Sequence, residues 1–95
     1  MARYITLIHF TEKGARDIKK STARATAFDK AAERAGVTVE AQYWTIGAYD
    51  GVLILNADSE RKILHCLTEL AAAGNVRPET MQAFDAKEFG ALNGR

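Results

Sequence analysis

The chain has 95 residues, 47% of them apolar, and its 13 Lys and Arg stand against 12 Asp and Glu for a net charge of +1. One ordinary domain, residues 1–95, accounts for that length, and there is no basic excess with which to neutralise the phosphates of a nucleic acid. No stretch approaches the ~18 apolar residues of a membrane span, and the amino terminus lacks the basic region and long apolar core of a signal peptide, so the expected location is the cytoplasm.

Tyr4-Ile5-Thr6-Leu7-Ile8-His9-Phe10 is β-branched and aromatic and reads as a first strand, with both faces partly apolar. Thr11 to Gly14 is polar, and from about Glu12 to Lys20 the chain suits one or two helical turns with Ile18 pointing inward. Ser21 or Thr22 offers a cap for a longer helix. Along it Phe28, Ala31, Ala32 and Ala35 recur at helical spacing until Gly36 supplies a left-handed terminal residue. Val37 to Ile46 and Tyr49 to Asn56 form a hairpin. Its Gly47-Ala48 suits a two-residue type II′ loop, whose first central position needs the positive φ that glycine tolerates. Asp58 is the expected cap of a third helix, with Ile63, Leu64, Leu67, Leu70 and Ala71 as its apolar stripe and Gly74 as its stop. After Pro78, Glu79 to Phe84 reads as a last short strand, and Ala86 to Leu92 as a short terminal helix or tail.

This order of strand, helix, strand, strand, helix, strand is the split βαβ, ferredoxin-like arrangement: an α+β fold with a four-stranded antiparallel sheet and both helices on one face. Nothing in the chain covers the other face. The two-residue loop pairs Ile46 with Tyr49, Trp44 with Gly51, Gln42 with Leu53 and Glu40 with Leu55 on one face. Thr45 with Asp50, Tyr43 with Val52, Ala41 with Ile54 and Val39 with Asn56 occupy the other. The small and β-branched set suits the alanine-rich helix, which assigns Trp44, Leu53, Leu55, Ile46 and Tyr49 to the open face, with Gln42 and Glu40 as its polar members. A domain of this size buries only about two-thirds of its unfolded surface, so such a face is expected to meet a second copy of the chain, with Trp44 packed over Gly51. Two sheets face to face make a dimeric α/β barrel, and the ~10 Å between them leaves room for a small apolar or aromatic ligand.

Few residues carry chemistry. Asp50, beside the turn, suits local backbone donors, and its alternative is a carboxylate paired with Arg24 or Lys19. Tyr49 offers a phenol whose pKa of ~10 makes it a slow general acid, so a hydrogen-bonded interface tyrosine is the plainer reading. His9, in line with Ile5 and Leu7, is the better proton-transfer candidate. His65 and Cys66 are adjacent on a helix and point apart, so neither they nor His9 suggests a metal site, and no cofactor is expected. Cys66, the one cysteine, has no intrachain disulfide partner, which suits a reducing compartment, and reads as a small, partly buried hydrophobe.

The run Thr45-Ile46-Gly47-Ala48-Tyr49-Asp50, followed by Val52 and Ile54, resembles the signature of the GYD domain family. The likeness extends to the opening strand through Phe10-Thr11, the Glu12-Lys13-Gly14 turn, Arg24, and Gly74 to Thr80; Ser21-Thr22 stands where many relatives have Pro before the helix. It implies a ferredoxin-like fold related to the dimeric α/β barrels of small bacterial proteins, and it carries no catalytic residue over to this chain. The RNA-recognition domains share the element order, but here Ile46 stands where their third-strand motif has a leading basic residue, and Gly51 and Leu53 follow Tyr49 on the same face in place of a second stacking aromatic. Two functions follow as expectations. One is a homo-oligomeric domain that binds a small apolar or aromatic ligand between sheets. The alternative is a cofactor-free barrel enzyme, a monooxygenase or isomerase, using His9, Tyr49 or Asp50 for proton transfer.

Overall fold

The structure is a computed structural model and describes residues 2–93. Strand β1 (Ala2–Phe10) lies between β3 (Gly51–Ala57) and β4 (Val76–Ala83), and β2 (Thr38–Trp44) flanks β3. The sheet order is β2-β3-β1-β4, with every neighbouring pair antiparallel. Helix α2 (Ser21–Arg34) connects β1 to β2, and α3 (Glu60–Ala72) connects β3 to β4. These elements make the ferredoxin-like α+β arrangement that the sequence order implies. A short α1 (Glu12–Arg16) and a 3-10 turn over Ile18–Lys20 precede α2, and α4 (Ala86–Leu92) follows β4.

Burial decides which face the helices cover. Tyr4, Thr6 and Ile8 of β1 and Gly51, Leu53, Leu55 and Ala57 of β3 are buried, while the residues between them are only half-buried. Leu55 is 0% exposed and belongs to one core with Val37, Ala32, Ile63 and Cys66. Leu53 and Leu55 therefore face the helices, opposite to the face expected for them. Trp44 and Gln42 go with them, since they pair directly with Gly51 and Leu53, and their polar heads find partners on α2. The Trp44 indole N–H donates to Ser21 Oγ at 2.9 Å, and the Gln42 amide donates to Asp29 Oδ1 at 2.8 Å. The physical reason is volume: the leucines fill the space beneath the alanine-rich α2 and pack against Ile63, Leu67 and Leu70 of α3, and period-two alternation cannot choose a side when both faces of β3 are apolar. The open face carries Ile5, Leu7, Val52 and Ile54, flanked by the exposed Tyr43 and Met81.

The hairpin keeps the expected register from Trp44–Gly51 to Ala41–Ile54 and then slips, so that Val39 pairs with Leu55 and Thr38 with Asn56. A bulge at Glu40 inserts the extra residue. It turns Glu40 to the open face, 3.9 Å from Arg3 Nε and 3.3 Å from Asn56 Nδ2, and packs Val39 against the core. Gln42 and Glu40, expected as neighbours on one face, thus lie on opposite faces. At the tip the loop is wider than two residues. The Thr45 N–H donates to the Asp50 carbonyl and the Thr45 hydroxyl to the Tyr49 carbonyl, at 2.9 and 2.6 Å. Gly47 takes the positive φ that only glycine adopts cheaply, 142°. Ile46 forms no pair with Tyr49 and is fully exposed.

Several boundaries differ from expectation for local reasons. Ser59 rather than Asp58 caps α3, its hydroxyl accepting from the Lys62 N–H while Asp58 pairs with the Lys62 ammonium at 2.9 Å. Neither Ser21 nor Thr22 caps α2, because the 3-10 turn runs straight into it, and Ile18 on that turn is exposed. β4 starts at Val76, ahead of Pro78, which an edge strand tolerates. α4 spans the expected residues, opened by a reciprocal Asp85–Glu88 capping box. The polar corner after β1 is tied to the start of β4: the Thr11 N–H donates to the Asn75 carbonyl, the Thr11 hydroxyl to the Gly74 carbonyl, and the Gly14 N–H to Thr11 Oγ1. A side chain at Gly14 would collide with the Asn75 carbonyl, so this corner requires glycine.

Candidate functional site

Two surfaces have the makings of a site. The first lies on the helix side, where α2 and α3 touch each other little and leave a cleft of about 530 Å³ over the sheet. Phe28 of α2, Trp44 of β2, Phe10 of β1 and Leu70 of α3 wall it, and Leu53 lies on its floor. α2 leaves this space because its inward stripe is mainly alanine, with Phe28 as the one large apolar residue. Cys66 also lines the cleft; burial pushes its thiol pKa up, which leaves it a weak nucleophile near neutral pH.

The second surface is the open face of the sheet. Its apolar centre is bordered by Arg3, Glu40 and Asn56 at one end and by His9 and Glu79 at the other. His9 Nε2 lies 2.8 Å from Glu79 Oε2, and its ring sits 4.6 Å from that of Tyr49, tilted by 44°. Beyond β4, Arg3 reaches Glu88 at 2.9 Å and holds α4 beside this face, with Phe89 and Leu92 of α4 exposed.

The residues singled out from the sequence divide between these surfaces. Trp44, Gln42 and Leu53 line the cleft, Leu55 is sealed in the core, and Ile46 stands at the hairpin tip. His9 and Tyr49 sit together near the end of the open face. Asp50 turns to the other side, lines the cleft, and accepts the Phe10 N–H through Oδ2 at 2.8 Å. The three proton-transfer candidates thus share no cavity, and Asp50 pairs with neither Arg24 nor Lys19. Arg24 instead donates to the Asp17 and Gly14 carbonyls. Among the described residues no group of three or more His, Cys, Asp or Glu side chains is arranged to hold a metal ion, and no helix is long and apolar enough to cross a membrane.

Sequence reasoning missed Glu79 as the partner of His9, because the two meet only through the β1–β4 register. It also missed Phe10 and Phe28 as cleft walls. Both read as ordinary core residues, and only the scarcity of large side chains on α2 hinted at the space before them.

Known proteins place this geometry. The chain matches the GYD domain over residues 4–92. It is 32% identical, over 94% of its length and 95% of the relative's, to the glutamine synthetase and cystathionine beta-lyase binding protein of Thermus thermophilus. Its fold is like that in the crystal structure of TTHA0845 from Thermus thermophilus, with a TM-score of 0.59 and 23% identity over 90% of this chain and 96% of that one. The hairpin run from Thr45 to Asp50 and the glycine corner at Gly14 lie within the matched segment, and the chain belongs to the GYD domain family.

Proposed function

We propose that this chain is a self-associating protein-binding domain of the bacterial cytoplasm, two copies meeting through the open faces of their sheets. The observation that carries the self-association is the uncovered apolar face. Ile5, Leu7, Val52 and Ile54 form its centre, Tyr43 is 63% and Met81 49% exposed beside them, and among the described residues no element lies across it. A patch of this kind marks an interaction site. A second copy is the fitting occupant because the border carries both signs of charge, Arg3 and Arg77 against Glu40 and Glu79, as a surface that must complement itself requires. α4 extends the same surface with its exposed Phe89 and Leu92.

Binding of a protein partner is supported by the relative named for binding glutamine synthetase and cystathionine beta-lyase. With the sheets packed together, the helices and the hairpin tip remain outside for such a partner. Gln42 and Trp44, the residues expected to hold a ligand between the sheets, lie on the helix side, so the space between sheets keeps no ligand in this reading. Proton transfer by His9, Tyr49 and Asp50 is not proposed either, since they face two different surfaces. The test is binding of the immobilised chain to purified glutamine synthetase and, separately, purified cystathionine beta-lyase. Saturable binding of either supports the protein-binding role, and binding of neither contradicts it.

A further inference from the structure

We propose that the cleft between α2 and α3 is a binding site for an uncharged, mainly aromatic small molecule. Its volume, about 530 Å³, falls within the range of roughly 300–1,000 Å³ typical of ligand sites. Its walls are aromatic on three elements, with Phe10 on β1, Phe28 on α2 and Trp44 on β2, which suits a flat ring better than a branched aliphatic body. The space is built into α2 itself. Ala25, Ala31 and Ala35 line the cleft from α2, so apart from Phe28 that wall presents no large apolar side chain to fill the space.

The polar groups at the cleft argue for a neutral occupant. Trp44 commits its indole N–H to Ser21, Gln42 its amide to Asp29, Asp50 one carboxylate oxygen to the Phe10 N–H, and Arg24 its guanidinium to two backbone carbonyls. The remaining lining charges, Arg34 and Glu69, are of opposite sign. The charged side chains of the lining, Arg24 and Arg34 against Asp50 and Glu69, balance in sign, so the cleft offers a charged ligand no net counter-charge for the hydration it gives up, whereas a neutral ring loses little and covers apolar wall. The occupant is thus distinguished by its lack of charge and its flatness.

N-phenyl-1-naphthylamine, a neutral aromatic probe whose emission rises in apolar surroundings, tests the site. The intact protein is expected to bind it saturably at one probe per chain, with amide shifts in a ¹⁵N NMR titration concentrated at Ala25, Phe28, Gln42, Leu53 and Leu70. Ala31→Phe, placed at the mouth, and Ala25→Phe, placed deeper, are each expected to weaken binding at least tenfold while circular dichroism and molecular mass stay those of the wild type. The NMR map needs no variant, so a misfolded variant does not protect the proposal. Absence of saturable binding overturns it. So do shifts confined to Ile5, Leu7, Val52 and Ile54, which would place the probe on the open face, or shifts at Phe89 and Leu92 of α4. Because mass is read separately, a monomeric protein that still binds the probe in the cleft would contradict the self-association and leave this site standing.

Discussion

Asp50 shows how one side chain can continue a sheet. The β1–β3 ladder ends at Ile8–Gly51, and one step beyond it the Asp50 N–H donates to the Ile8 carbonyl while its carboxylate accepts the Phe10 N–H, both at 2.8 Å. Removing the carboxylate leaves a part-buried donor unpaired, so Asp50→Ala is expected to cost about 1–3 kcal/mol in urea unfolding. A change within about 0.5 kcal/mol would contradict the role. That an aspartate beside a turn serves backbone donors was legible from the sequence. That the donor sits on β1 rather than in the turn depends on register, which no local pattern encodes. Trp44 teaches the opposite lesson. Its place opposite glycine suggests the open face, yet the register that pairs it with Gly51 puts it on the helix side, where it stays 49% exposed and its indole N–H donates to Ser21.

The helices and strands themselves follow from local rules to within a few residues. α3 is written in its stripe, although Leu64, counted in that stripe, is 69% exposed. The bulge at Glu40 left no mark in the sequence, and it alone separates Glu40 from Gln42. α4 is held by a pair that can be titrated. The Glu88 carboxylate accepts from the Asp85 N–H and from the Arg3 guanidinium, and these bonds hold its pKa below the ordinary glutamate value. A depressed carboxylate pKa means the tether is fully present above that ordinary value, about 4.3, and is lost as pH falls through the lower folded value. An NMR titration of the Glu88 side chain should therefore show a midpoint below about 4.3, raised by Arg3→Ala. A midpoint at or above the ordinary value would contradict the tether.

At the scale of the molecule, element order was enough to specify a ferredoxin-like sheet with one uncovered face. What it could not specify was the identity of that face. In β3, Val52 and Ile54 are as apolar as Leu53 and Leu55, so the choice rests on how much volume the alanine-rich α2 and the leucine-bearing α3 leave beneath them, a property of the packed layers. Once the faces are assigned, the helix side holds a cleft walled by aromatics and the open side holds a mixed-charge apolar surface suited to a second copy. The open-face residues, rather than Trp44, Leu53 and Leu55, are the ones on which assembly depends in this reading. Ile54 sits at the centre of that surface, paired on either side with Ala41 and Ile5, and a buried carboxylate there would lack any partner. Light scattering on the purified protein is expected to give at least twice the chain mass of 10.4 kDa, and Ile54→Glu to reduce it to a single chain with unchanged circular dichroism; a monomeric wild type, or a folded Ile54→Glu that keeps the wild-type mass, would contradict self-association through the open face.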